Sequence, residues 1–380
     1  MASVTPWEAK GNIDYDRLIQ EFGTQPLDKT LQARLIRIAG EDHHFLRRDI
    51  FFSHRDMKWL LDEYEKGNKF FLYTGRAPSG PIHLGHLLPW LFTKWLQDKF
   101  HVRLLFQFTD EEKFLFKEGL TLTEAKHWLE DNMLDVAAIG FDPELTDFLI
   151  DTKHAGMMYP EAIKVAKRVT FSTAKAVFGM TNQTNLGAIF YTAMQAVPAF
   201  LPSIYANKKI PCFIPHGIDQ DPHFRVTRDV LPKIGFDKPA AIHCRFLPGL
   251  GGMESDGKMS ASDASTAIFT TDDQKTVKRK IMKYAFSGGQ ATTEEHRKAG
   301  GNPDVDVAYQ WLTFFEEDDH KLKRYYEDYK SGKLLTGELK QILVDKINAF
   351  LKEHQARREQ LKGKLDRFII KDEAAFERYQ

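Results

Sequence analysis

Only two of the 380 residues are cysteine, Cys212 and Cys244. That is too few for a disulfide framework or a zinc ribbon, so both are read as buried, reduced thiols. No run of about 18 uninterrupted apolar residues occurs, and the first ten residues lack the apolar core of a signal peptide. The expectation is a soluble, cytoplasmic protein with no membrane partner. Net charge is missing as well, since 53 Lys and Arg face 53 Asp and Glu. Such balance excludes a protein whose whole surface grips phosphates, yet it permits a local basic strip. Internal repeats and low-complexity tracts are absent, which removes solenoids and disordered arrays. What is present is ordinary globular material, 42% hydrophobic and 28% charged, long enough for two or three domains.

From about Phe70 short apolar runs alternate with longer amphipathic stretches, the pattern of strand and helix units around a parallel sheet. Strands are expected at Lys69 to Tyr73, Arg103 to Phe108, Asp147 to Ile150, Pro211 to Ile214 and Ala240 to Arg245, with a helix over Leu87 to Phe100 between the first two. After Ser262 only helices are expected: Thr271 to Tyr284, Asp304 to Phe315, Lys321 to Lys330 and Leu335 to Lys362. Helical periodicity also marks Asp28 to Ala39 and Ser53 to Glu65. The fold class is therefore α/β, a Rossmann-like doubly wound parallel sheet followed by an all-α domain. The expected division is an extension over 1–64, a sheet domain with a helical insert over 65–265, and a helical domain over 266–380.

Two loops carry chemistry. The first, Tyr73-Thr-Gly-Arg-Ala-Pro-Ser-Gly-Pro-Ile-His-Leu-Gly-His86, runs from a strand end into a helix start. Thr74, Gly75 and Gly85 lie where backbone can approach a ligand closely, and His83 and His86 can donate to a phosphate at the positive helix end. Two histidines three apart are usually incidental, and a metal site lacks a third ligand at fitting spacing. The second loop, Gly257-Lys258-Met259-Ser260-Ala261-Ser262, follows the last strand. A lysine there could close over a polyphosphate and neutralise charge on departing pyrophosphate.

Together these loops resemble the HIGH and KMSKS signatures of the class I aminoacyl-tRNA synthetases. Phe51-Phe-Ser-His-Arg-Asp56, Phe71-Leu-Tyr-Thr-Gly-Arg76, Gly217-Ile-Asp-Gln-Asp-Pro222, Ala285-Phe-Ser-Gly-Gly289 and Leu335-Thr-Gly-Glu338 extend the resemblance from about Asp14 over nearly the whole chain, toward the tryptophan branch of archaeal and eukaryotic type. One departure is Ala77, where the family pattern has glycine, which requires a negative φ.

The resemblance implies ATP-dependent formation of tryptophanyl-adenylate and transfer to tRNA(Trp) by a homodimer, with ATP entering alongside Mg²⁺ and no permanently bound metal. It implies roles residue by residue. Tyr73 and Gln107 meet the indole N–H, which is donor only and needs an oxygen acceptor. Glu112, Gln195 and Gln220 hold the amino and carboxyl groups, and Asp219 the ribose. Thr74, Gly75, Gly85, Met259, Ser260 and Ser262 contact ATP, while His83, His86 and Lys258 stabilise charge on the reacting phosphates. A tyrosine-specific relative is the nearest rival, and would want a carboxylate facing a phenol hydroxyl.

Several other features take plainer readings. His43, His44, His54 and Asp56 are crowded by Arg47, Arg48 and Arg55, which argues against a metal. Glu316-Glu-Asp-Asp319 reads as a solvated helix end, and Trp311, Phe314 and Phe315 as core. Between Lys340 and Lys371 nine Lys or Arg stand against four Asp or Glu, a net +5 hidden inside the neutral total. That strip, Arg357 and Arg358 included, is either a tRNA backbone contact or a solvated helix face.

Overall fold

Five apolar runs become strands close to where they are expected, because each alternates side chains between two covered faces. The structure, a computed structural model, describes residues 3–4, 9–10, 13–253, 255, 257–261 and 263–379. Its strands are β1 (Ser3–Val4), β2 (Ala9–Lys10), β3 (Gln25–Pro26), β4 (Phe51–Arg55), β5 (Phe71–Arg76), β6 (Leu104–Phe108), β7 (Thr146–Ile150), β8 (Cys212–Gly217) and β9 (Ala240–Cys244). β1 pairs with β2, and the other seven form one sheet in the order β3-β4-β9-β8-β5-β6-β7. From β9 to β7 all neighbours run parallel, with the chain order reversing about β5 as in doubly wound sheets. Leu72, Leu104, Phe106 and Phe213 enter one core while Phe71, Tyr73, Leu105 and Ile214 enter the other. Both cysteines are free and buried.

The sheet is wider than the sequence suggests. Ser53 to Glu65 divides at Asp56, whose left-handed φ of 49° makes a corner between the strand β4 and the helix Met57–Glu65. Local periodicity missed β4 because its pairing partner, antiparallel β9, lies about 190 residues away. The extension before residue 65 thus supplies two antiparallel strands to the sheet edge.

Beyond residue 262 the helices are Gln274–Tyr284, Thr293–Ala299, Val307–Phe315, Asp319–Lys330 and Thr336–Leu361. Side chains of Asp273, Thr292, Asp306 and Asp318 cap the first four. Thr293–Ala299 was not anticipated, being short and polar, yet Thr292 and Glu295 form a reciprocal capping box at its start. Trp311, Leu343 and Ile347 are fully buried in the core that also covers one sheet face, so the helices share that core. The tail does not stay with them. Phe148 in β7 donates to the Phe368 carbonyl at 2.7 Å and accepts from the Ile370 N–H at 3.2 Å, so the last residues close the edge of the sheet.

Two surface readings are corrected. Glu317, Asp318 and Asp319 are exposed at a helix start, as expected, but Asp319 also pairs with Arg47 and Arg48 of the extension, and Glu316 is buried against Lys346 at 3.0 Å rather than facing solvent. Arg358 lies inside the molecule against Asp131 and Asp135, and Arg357 Nε donates to the Ala138 carbonyl at 2.6 Å. Neither alternative offered for the basic strip fits Arg358, because its charge is spent on joining the helix Thr336–Leu361 to Leu122–Ala137. Trp311 and Phe314 are core, as expected.

Candidate active site

The C-terminal ends of β5, β6, β8 and β9 open into a cavity of about 710 Å³ at the point where the strand order reverses. Tyr73, Thr74, Gly75, His83, Gly85, His86, Gln107, Glu112, Gln195, Asp219, Gln220, Lys258, Met259 and Ser260 all line it. Ser262 lies outside the described residues. Backbone register makes the glycine at 75 obligatory: it pairs with Gln107, and a Cβ there would stand 2.9 Å from the Gln107 carbonyl oxygen. Ala77 is not among the residues with positive φ, as its methyl group requires.

At the inner end, three side chains form a chain of hydrogen bonds. Tyr73 Oη donates to Gln107 Oε1 at 2.6 Å, and Gln107 Nε2 donates to the two oxygens of Asp151 at 2.9 and 2.8 Å. Each remaining oxygen lone pair on Tyr73 and Gln107 is a possible acceptor for a ring N–H. Glu112 sits nearby, receiving bonds from Thr109, Lys113 and Tyr191. Burial works to raise the Glu112 pKa, but Lys113, His223 and Tyr191 hold it below the ordinary carboxylate value. The group is therefore an anion suited to an ammonium.

The outer end is cationic. The His83 and His86 rings stack with centroids 3.5 Å apart. Burial lowers the His83 pKa to about 3, helped by Arg76 and Lys258, and burial takes His86 well below its usual value. Both rings are neutral at pH 7. Arg76 Nη1 stands 2.9 Å from His86 Nε2 and keeps its own charge, although burial lowers its pKa to about 10. Lys258 Nζ pairs with Asp219, which also accepts from Gln220 Nε2 at 3.2 Å. The loop carrying Lys258 is anchored where Met259 N donates to the Leu247 carbonyl at 2.9 Å. Next to that anchor, Trp311 Nε1 donates to the Pro248 carbonyl at 3.1 Å, joining the helices to the loop.

Sequence reasoning missed Arg76, Asp151 and Tyr191. Arg76 carried a signal, a charged residue at the end of a central strand, whereas Asp151 and Tyr191 are recognisable only through partners 44 and 79 residues away. Among the described residues, one group has the spacing of metal ligands: buried His216, Asp221 and His243. Arg55 occupies both Asp221 oxygens at 2.7 and 2.8 Å and lowers that carboxyl strongly, so a guanidinium already fills the place of a cation.

Residues 65–352 match the family described as tRNA synthetases class I (W and Y). A tryptophan–tRNA ligase of Sulfolobus acidocaldarius is 54% identical over 96% of this chain and 94% of its own length. The cytoplasmic tryptophan–tRNA ligase of Saccharomyces cerevisiae is 48% identical over 97% and 88%. Among solved structures, the tryptophanyl-tRNA synthetase of Plasmodium falciparum superposes with a TM-score of 0.89 at 39% identity, covering 96% of this chain and 99% of that one.

Proposed function

The chain belongs to the class I tRNA synthetases for tryptophan and tyrosine and charges tRNA with tryptophan, and from that premise we propose how its residues divide the work. Tyr73 and Gln107 receive the indole N–H. Glu112 holds the substrate ammonium, with Gln195 and Gln220 on its amino and carboxyl groups. Asp219 takes the ATP ribose, and Thr74, Gly75, Gly85, Met259, Ser260 and Ser262 contact the nucleotide. Because Lys258 and Gln220 both converge on Asp219, ATP entry exchanges an internal ion pair for two ligand contacts. The observation that carries the assignment is the Tyr73 to Gln107 bond, which leaves oxygen lone pairs for a partner that only donates.

The tryptophan carboxylate is ionised at neutral pH and needs no base to attack the α-phosphorus in line. Pyrophosphate leaves as the carboxylate–phosphorus bond forms. His83, His86 and Lys258 position the phosphates and stabilise the charge that develops on them. Glu112 and Asp219, the lining carboxylates among the described residues, are both engaged by protein cations, so Mg²⁺ enters with the ATP phosphates, and no permanent metal is assigned. In the second step the 2′-hydroxyl oxygen of the terminal tRNA adenosine attacks the carbonyl carbon of the adenylate; the ester forms as the bond to the phosphate oxygen breaks, and AMP and the hydroxyl proton are released.

Residues 266–380 are the proposed anticodon-binding domain, with 368–370 returning to β7, following the catalytic domain over 65–265 and the extension over 1–64. A second copy of the chain is placed against the insert between β7 and β8, where Tyr159, Ile163 and Leu186 are exposed. The working compartment is the cytoplasm; among the described residues no helix is long and apolar enough to cross a membrane.

Gln107→Ala tests the site. Tryptophan affinity, measured by titration, should fall at least tenfold with ATP affinity unchanged, and equal losses for both ligands would refute the assignment.

A further inference from the structure

Gln107 can read a ring N–H only if its amide points the right way. The two ends of an amide have nearly the same shape, but one accepts and the other donates. Turned over, Gln107 would present N–H groups to the ring N–H and reject it. Tyr73 cannot prevent this by itself. Its hydroxyl has a second acceptor within reach, the Gln195 carbonyl at 3.3 Å, and could turn there and accept from a reversed amide.

Asp151, at the C-terminal end of β7, is placed to decide. It is 1% exposed, and both of its oxygens face Gln107 Nε2 at 2.9 and 2.8 Å. A reversed amide would bring oxygen against oxygen at this contact. Asp151 is also under the electrostatic influence of Glu111, whose own carboxyl is pushed up to about 7 by burial, by Asp110 and by Glu112. Burial and the neighbouring Glu111 and Asp110 likewise raise the Asp151 carboxyl well above its ordinary value, while the bonds from Gln107 work to lower it. Asp110 is occupied elsewhere, accepting from Thr152 N at 3.0 Å.

We propose that Asp151 is a specificity-determining positioning residue that locks the Gln107 amide with its oxygen toward Tyr73 and the substrate ring, so that the pocket demands a side chain carrying an N–H donor. This rests on the reading that Gln107 meets the indole.

The test compares tryptophan with its benzothiophene analogue, in which sulfur replaces the N–H, by amino-acid-dependent exchange of pyrophosphate into ATP. In Asp151→Asn, a near-isosteric change whose side chain can present either end to Gln107, the tryptophan KM should rise about tenfold or more while the ATP KM holds. The preference for tryptophan over the analogue should shrink by a similar factor. Asp151→Ser, whose hydroxyl both donates and accepts, should do the same if the Asn variant does not fold. A preference that stays at the wild-type ratio, with both substrates slowed equally, overturns the proposal. Gln107→Ala separates the two claims. If it leaves the preference intact, the reading of Gln107 fails, and if it abolishes the preference while the Asp151 variants keep it, only the role of Asp151 fails.

Discussion

Arg358→Met should destabilise the protein without touching tRNA binding. The Arg358 side chain is 10% exposed, with Nη1 2.6 Å from Asp135 Oδ2 and 3.1 Å from the Asp131 carbonyl, and Nη2 against the Asp131 carboxylate. The Asp135 contact is misaligned for a hydrogen bond, so it acts mainly through charge. Asp135 is wholly buried, and among the described residues its other close side-chain partner is His354 Nε2 at 2.9 Å. Methionine fills much of the same volume but strands the Asp135 charge, a loss of roughly 3–5 kcal/mol for a broken buried pair. That should lower the urea midpoint by about 1 M. Removing both charges, with Asp135→Asn added, should recover at least half of the loss, since no unpaired ion remains. The salt dependence of tRNA affinity should keep its slope in all three proteins. Stability within 1 kcal/mol of wild type, together with a salt slope shallower by about one, would mean that Arg358 meets a phosphate and that the buried pair is misread.

Lys258→Ala should slow pyrophosphate exchange by about 10²–10³ while tryptophan affinity is kept, and a rate within threefold of wild type would remove Lys258 from the reaction. Gly300→Ala should be among the most damaging single methyl additions: φ is 72° and ψ 178°, and the new Cβ would stand 2.7 Å from the Lys330 carbonyl carbon. A loss of more than about 3 kcal/mol is expected, read as early protease cleavage within the helices, and an unchanged digestion pattern would count against it. Acid should unfold the protein. Burial lowers His43, His83 and His216 to about 3 and His54 and His223 to about 4, so between pH 6.5 and about 4 the unfolded chain binds protons that the folded chain refuses. Stability from these groups is full above 6.5 and is lost as pH falls. Glu111, raised to about 7, and Asp151, raised well above its ordinary value, work the other way but are outnumbered by the five histidines. A urea midpoint that is flat or rises from pH 7 to pH 5 contradicts this.

Much of the fold was legible because its strongest signals are local. Phe71–Arg76 and Leu104–Phe108 announce strands by composition alone, and the His83 and Lys258 loops, which pair glycine with cationic or donor side chains at element ends, do line one cavity. The pairings that were missed all span long sequence distances. β4 became visible only beside β9, Asp151 only beneath Gln107, and the Asp319 carboxylate only against Arg47 and Arg48. Charge counting failed for Arg358 for the same reason: a formal +5 strip reports composition, and an arginine turned inward onto two aspartates adds nothing to the outer field.

The return of residues 368–370 to β7 sets a timetable for biosynthesis. Phe148 leaves the ribosome roughly 220 residues ahead of its partners Phe368 and Ile370, an interval of about 10–45 s at ordinary elongation rates. Throughout that time the β7 edge carries unpaired N–H and C=O groups and can template pairing with another nascent chain. Final closure of the catalytic sheet is therefore a late event, and a ribosome stalled within the helices would hold a chain whose sheet still has one sticky side.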